Sequence, residues 1–285
     1  MRLLQWNIQW CRGMDGRVDP ARIARVAREI CDPDICCFQE VAENFDSLAG
    51  SSGENQSEIL ENLFAGYSAH FGCAVDVPDA RGGRRRFGNM ILSRFPVRQV
   101  FRHSLPWPAH AETPSMPRVA LEAVIEAPFG ALRVATTHLE YYSDIQRIAQ
   151  VERLRELHAE ACARARSRPS ARYDSGPFQP LSRPMPAILC GDFNLPKGPE
   201  DAMYARMQAP IAPDVPRYVD SWKHLNANTP HPPTFCLHDR QHGTAPYCCD
   251  FVFVSEDLAP RIAAVRVDGD TQASDHQPVI IELRP

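Results

Sequence analysis

Ala187-Ile188-Leu189-Cys190-Gly191-Asp192-Phe193-Asn194 runs from four apolar residues through a glycine to an acid and an amide flanking a phenylalanine. The apolar part has the length of a buried strand. Gly191 permits close backbone approach at its end. With a repeat of two, Phe193 turns back into the core while Asp192 and Asn194 share the opposite face, about 7 Å apart. An acid and an amide so placed can grip an attacking water and a phosphoryl oxygen. The plainer use of the same residues is an Asx turn.

Four further polar clusters adjoin β-rich segments: Trp6-Asn7, Gln39-Glu40, Thr137-His138-Leu139-Glu140 and Ser274-Asp275-His276. With the first they supply carboxylates, amides and two imidazoles. A hard divalent cation and a phosphoryl group require that mixture.

Residues 2–8 read as the first strand. Asp19-Pro20 joins an N-cap to a proline at the first helical position, and Ile23, Val26, Ala27 and Ile30 follow at helical spacing. Cys31-Asp32-Pro33-Asp34 stops that helix, and a buried strand at 35–39 delivers Glu40. A loop at 49–56 precedes a short helix ending near Phe64. Strands are expected at 71–77 and 88–93, with the glycine- and arginine-rich 78–86 as a loop between them. Residues 119–125 and 132–137 form a hairpin around Pro128-Phe129-Gly130. Ser143 caps a long helix carrying Ile145, Ile148, Val151, Leu154 and Leu157. Residues 187–190, 249–254, 262–267 and 278–283 complete the strands.

Five prolines fall between 169 and 186. The motifs continue beyond them, so 167–186 reads as a loop insertion in a single domain spanning 1–285 rather than a linker. No internal repeat is visible. Strands outnumber helices without a pure βαβ alternation, which fits two packed sheets with helices on their outer faces. The polar clusters fall at strand ends, where they converge on one rim.

An apolar fraction of 44% and a charged fraction of 23% are ordinary for a globular chain. Net charge is −4, which argues against broad adhesion to nucleic acid but leaves room for a local basic groove. The first residues turn polar too soon for an apolar signal core, and no run is long enough to span a membrane. Ten cysteines in 285 residues do not suggest a disulfide scaffold; Cys36-Cys37 and Cys248-Cys249 lie in apolar runs as buried thiols. A cytoplasmic location follows. Nothing signals an obligate protein partner.

Each candidate has a bland use beside a functional one. Glu40 is a solvated strand end or a cation ligand; Asn7 is a turn former or an oxygen donor. His138 is a satisfied core histidine or a donor to a phosphoryl oxygen. Asp250 enters an apolar strand, which is costly unless it is paired, and His276 is its expected partner. Asp275, differing in direction from His276, then faces a metal. Arg118 precedes a strand and is placed to clamp phosphate. Arg147 is expected on a solvated helix face. Arg84-Arg85-Arg86 is a solvated run or a guide for an anionic substrate. His224, His231, His238 and His242 do not match zinc spacing and are given surface or loop roles.

In this order, the residues resemble the endonuclease/exonuclease/phosphatase superfamily, also called deoxyribonuclease I-like. The matching stretches are Trp6-Asn7, Phe38-Gln39-Glu40, Gly88-Asn89-Met90-Ile91-Leu92-Ser93, Arg118, Thr137-His138-Leu139, Gly191-Asp192-Phe193-Asn194, Cys249-Asp250-Phe251-Val252-Phe253-Val254-Ser255 and Ser274-Asp275-His276. Each alone is weak; the ordered set is specific and spans residues 6 to 276. The resemblance implies a four-layer α/β sandwich with two central, mostly antiparallel sheets flanked by helices. It implies Mg²⁺- or Mn²⁺-dependent hydrolysis of a phosphodiester or phosphomonoester. Carried over by position, Glu40 is the principal metal ligand with Asn7 and Asp275 nearby. Asp192 orients or deprotonates water or assists the leaving group. Asn194 binds phosphate, and His276, paired with Asp250, contacts the scissile phosphate. His138 is the second phosphate-facing histidine; Arg118 and Asn89 complete the phosphate contacts.

Histidine at 138 resembles the deoxyribonuclease I, sphingomyelinase and inositol-phosphatase branches, because the abasic-site and exonuclease III branch usually has tyrosine there. Gln9 replaces an acid found in some members, which counts against a second tight metal position. The substrate stays open between nucleic acid and a small phosphoester. A catalytically silent module holding a phosphorylated ligand in the same cleft is the alternative from another class.

Overall fold

A computed structural model describes residues 1–80, 82–167, 176–179, 181, 183–239 and 245–285. In chain order the first half comprises β1 (Arg2–Asn7), α1 (Pro20–Cys31), β2 (Ile35–Glu43), α2 (Gln56–Leu63), β3 (Ser68–Pro78), β4 (Arg84–Ser93), β5 (Val97–Ser104) and β6 (Val119–Ala127). The second comprises β7 (Gly130–His138), α3 (Asp144–Arg166), β8 (Ala187–Asp192), α4 (Ala202–Gln208), β9 (Tyr218–Asp220), α5 (Ser221–Leu225), β10 (Asp250–Ser255), β11 (Ile262–Val267) and β12 (Val279–Leu283).

The strands form two six-stranded sheets, ordered β11-β12-β1-β2-β4-β3 and β5-β6-β7-β8-β10-β9. Each sheet holds one parallel pair, β1 with β2 and β7 with β8. A parallel pair needs a crossover, and α1 and α3 supply it. The caps read from sequence start these helices: Asp19 accepts from the Arg22 N–H, and Ser143 accepts from the Gln146 N–H.

Three apolar layers hold the sandwich together. Leu3, Ile35, Ile91 and Ile281 of one sheet meet Leu121, Val134, Ile188 and Val252 of the other. On the first sheet's outer face Trp6, Phe38 and Met90 pack against Ile23 and Ala27 of α1 and Leu60 of α2. Opposite, Leu189, Phe251 and Phe253 pack against Val151 and Leu154 of α3 and Tyr204 of α4. The order helix, sheet, sheet, helix is the four-layer sandwich expected, and the sheets are mostly antiparallel as expected, with one parallel pair in each. All ten cysteines are free, nine of them buried.

Two expectations about elements change. Arg84, Arg85 and Arg86 begin β4 rather than ending a loop, because Arg84 and Arg86 pair with Asp76 across the β3–β4 ladder. β5 carries an alternation weakened by Arg98, Arg102 and His103, and sequence periodicity missed it. Half of the insertion at 167–186, and His242, lie outside the described residues. No helix among the described residues is long and apolar enough to cross a membrane.

Candidate active site

Strand ends deliver the polar side chains, each by a local irregularity. In β2, Gln39 and Glu40 together oppose Asn89 of β4, and the register shifts there. This bulge, with Glu40 at φ +60°, turns the carboxylate out of the ladder. In β8, Gly191 sits at φ +144°, and a Cβ there would lie 1.9 Å from the Thr137 carbonyl oxygen. Glycine therefore lets β8 close on β7 and brings Asp192 level with His138. After Ile8 three consecutive non-glycine residues, Gln9, Trp10 and Cys11, adopt left-handed backbone. Such strain is kept where surrounding structure enforces it, and here it borders the cleft.

The convergence is tight. Asn7 Nδ2 donates to Glu40 Oε1 at 3.0 Å and to Asp192 Oδ2 at 3.1 Å. His138 Nε2 lies 3.4 Å from Asp192 Oδ2 and 3.9 Å from Glu40 Oε1. His276 Nε2 lies 3.7 Å from the same Asp192 oxygen. Its Nδ1 is 2.8 Å from Asp250 Oδ2. Asp250 is fixed in turn by Thr234 Oγ1 at 2.7 Å and Gln5 Nε2 at 3.1 Å. Asp275 Oδ2 accepts from Gln9 Nε2 at 2.7 Å. Glu40, His138, Asp192, Asp275 and His276 line a cavity of about 410 Å³, with Asn7 and Asp250 buried behind them.

The profile of the endonuclease/exonuclease/phosphatase family matches residues 4–276. The chain belongs to this family. No curated protein matches it. Among solved structures, an endonuclease/exonuclease/phosphatase from Beutenbergia cavernae DSM 12333 superposes with a TM-score of 0.66 at 23% identity, covering 100% of this chain and 71% of the other. A mannosyl-6-phosphatase from Bacteroides thetaiotaomicron VPI-5482 gives 0.63 at 19% identity, with 100% of both chains covered. D. rerio TDP2 complexed with single strand DNA product gives 0.63 at 18%, covering 100% and 99%. These identities show a shared fold.

In this family member the buried acids carry raised pKa values. Burial first, then the neighbouring Asp275, pushes Glu40 up to about 7. Burial lifts Asp192 to about 6, with His276 pulling it down and Asp250 pushing it up. The carboxylates thus lack enough positive charge of their own, and the oxygens of Glu40 and Asp275 suit a hard cation such as Mg²⁺ or Mn²⁺, whereas Asn7 turns its Nδ2 toward Glu40 and Asp192 and its Oδ1 accepts from the Gln9 N–H at 3.1 Å. Asp192, Cys249 and His276 also offer ligand atoms within 4.8 Å of one another. That trio fits poorly. Burial and Asp250 keep the Cys249 thiol protonated, and His276 Nδ1 is committed to Asp250.

The two imidazoles differ. Burial, then Arg118 and His276, pushes His138 well below its usual range, so it is neutral. Burial also opposes a charge on His276, yet Asp250 and Asp192 outweigh it and raise the group well above that range. Phe235 stacks on the His276 ring at 4.4 Å.

Some expectations are redirected. Asn194 does not continue the strand: its φ is +49°, its N–H returns to Asp192 Oδ1 at 2.9 Å, and its amide donates to the Leu139 carbonyl. It still lines the cavity, and Phe193 does enter the core. Asn89 stands back from the main cavity. Its amide donates to the Val119 carbonyl at 2.9 Å, tying the two sheets together opposite the bulge. Arg147 is buried, not solvated, and donates to the carbonyls of Glu140 and Tyr141. The His231 side chain is buried and pairs with Asp220, so a surface role does not apply to it. Sequence reasoning missed Thr234 and gave Glu140 no role; an acid two residues after His138 was the available signal for the latter.

Proposed function

We propose that this chain is a divalent-metal-dependent phosphoesterase that hydrolyses a phosphodiester or phosphomonoester by in-line attack of water. The observation that carries this reading is Asn7 Nδ2 bridging Glu40 and Asp192, with both imidazoles within 4 Å of one Asp192 oxygen. Glu40 and Asp275 would hold Mg²⁺ or Mn²⁺, with Asn7 beside Glu40. When bound, the ion supplies Lewis-acid polarisation of a phosphoryl oxygen and charge neutralisation.

The remaining chemistry belongs to the side chains. Asp192 accepts a proton from water; a pKa lifted to about 6 leaves it ionised at neutral pH and a stronger base than an ordinary carboxylate. His276, held charged by Asp250, donates from Nε2 to a phosphoryl oxygen. His138 and the second amide N–H of Asn194 are further donors on the same side. Arg118 Nη1 is a buried donor without a partner in the cleft lining, and a phosphate oxygen satisfies it. The fold neighbours named for an activity or product span a sugar phosphatase and a DNA-bound protein. Substrate choice therefore rests on this chain's own cleft.

Hydrolysis of bis-p-nitrophenyl phosphate and p-nitrophenyl phosphate with Mn²⁺, with and without chelator, tests the proposal. Metal-dependent turnover lost in Asp192→Ala and His276→Ala is expected. Full activity in both variants, or binding of phosphate ligands without any turnover, contradicts it.

A further inference from the structure

The catalytic floor and the mouth of the cleft are made of different material. The floor is acidic and buried, whereas Trp10, Phe87, Met116, Tyr141 and Tyr142 line the same 410 Å³ cavity. Among the described residues, Arg118 is the only lysine or arginine in that lining. A track for a long phosphate backbone calls for several.

Tyr141 and Tyr142 meet edge to face, with ring centroids 4.8 Å apart and planes at 88°. Tyr142 is 62% exposed, yet its backbone is held firmly. Its N–H donates to Glu140 Oε1 at 3.0 Å, and the Tyr141 carbonyl accepts from Arg147 Nη1 at 3.0 Å. Glu140 is fully buried, and its own N–H donates to Gln150 Oε1 at 2.9 Å. Its other carboxylate oxygen accepts from Arg118 Nε at 3.2 Å. One buried carboxylate thus ties the Arg118 guanidinium to the tyrosine step. Burying Arg118, Glu140 and Arg147 together is costly for a loop that only has to turn. The outcome is a fixed span between the place a phosphate meets Arg118 and the place a ring meets Tyr142.

Further exposed apolar side chains follow in the chain. Ile145 and Ile148, 50% and 44% exposed, follow Tyr142 on the first turns of α3. Polar hydroxyls of a sugar body find few partners here; a flat apolar group finds a ring face.

We infer that the Tyr141–Tyr142 step is the substrate-selecting platform, and that the phosphoester it takes carries a planar aromatic body stacked on Tyr142. This rests on the phosphoesterase reading and narrows it. Base-on-aromatic stacking of this kind is lost on truncation to alanine and tolerates any flat ring.

The test uses phosphoesters of one ester class that differ only in their body: phenyl, thymidine-5′ and glycerol. Wild type, Tyr142→Ala and Tyr142→Trp are compared with Mn²⁺. Tyr142 is exposed, so substitution leaves the fold intact, and circular dichroism checks this. Expected is a roughly 10-fold rise in KM for an aromatic ester in Tyr142→Ala, with kcat within about twofold, recovery in Tyr142→Trp, and no change for the glycerol ester. A response to phenyl alone assigns a small aryl ring; a response to thymidine assigns a nucleobase. Equal shifts for all three bodies, or no shift for any, overturn the platform. Absence of turnover for every ester in wild type is instead the failure of the phosphoesterase reading. In that case equilibrium dialysis of thymidine 5′-monophosphate against glycerol phosphate reads the platform directly. Loss of a thymidine preference in Tyr142→Ala supports it, and equal binding of the two ligands overturns it.

Discussion

The molecule contains two strand–helix–strand units, β1–α1–β2 and β7–α3–β8, each a parallel pair with its helix on an outer face. Their carboxyl ends meet at one rim, where Asn7 of the first bonds Asp192 of the second. They deliver different chemistry there. The first unit ends in an amide that bridges the two acids, Asn7, and in the carboxylate of Glu40; the second ends in His138, Asp192 and, just beyond, Asn194. Local geometry differs as well. A bulge opposite Asn89 aims Glu40, whereas a missing side chain at Gly191 seats Asp192. The same architecture thus yields a half suited to holding a cation and a half suited to handling a proton and a phosphoryl group.

The sharpest way to break this division is to damage each half and add metal. Asp192→Ala is expected to lower kcat by about 10³ or more, and extra Mn²⁺ does not restore it. Glu40→Gln is expected to weaken metal affinity by at least about 10-fold, and raised Mn²⁺ restores part of the activity. Steady-state titrations with Mn²⁺ distinguish the two; rescue of both variants to the same extent erases the distinction.

A stability test compares the devices that aim the two acids. Gly191→Ala puts a Cβ 1.9 Å from the Thr137 carbonyl oxygen, against backbone that cannot yield cheaply. A loss of about 3 kcal/mol and a drop of several degrees in Tm are expected by thermal unfolding. An unchanged Tm contradicts the close approach.

The smallest effect is pH linkage in metal-free protein. Glu40 is raised from 4.5 to about 7 in the folded chain. The folded state then binds more protons than the unfolded one between those values, so this stability is fully present below pH 4.5 and is lost as pH rises through 7. Asp192, raised to about 6, acts in the same direction. The Tm gain on adding Mn²⁺ should accordingly be larger at pH 7.5 than at pH 5.5, as differential scanning fluorimetry reads out. The reverse order contradicts the buried-acid account.

Much of this site was legible because each acid or amide follows an apolar run, and a period of two says where such a run ends. The pairing of Asp250 with His276 was readable from the cost of an acid entering a buried strand. Arg147 was not, because its burial depends on the Glu140–Tyr142 backbone folding back over α3, a contact that helical periodicity does not encode. Asn194 was misjudged because the period of two fails once the chain turns left-handed. β5 escaped notice since an edge strand with Arg98 and Arg102 carries little apolar alternation. Aromatic residues at 10, 87, 141 and 142 gave no signal at all, being brought together only by the tertiary fold.

The central claim is that carboxylate oxygens beside the first unit hold a hard cation next to the proton- and phosphoryl-handling second unit. A crystal structure with Mn²⁺, located by its anomalous signal, tests it most directly. The account predicts Mn²⁺ about 2.1 Å from a Glu40 carboxylate oxygen, with Asn7 and Asp275 beside it. Manganese seated on Cys249 and His276 instead, or absent from the cleft at saturating concentration, contradicts it.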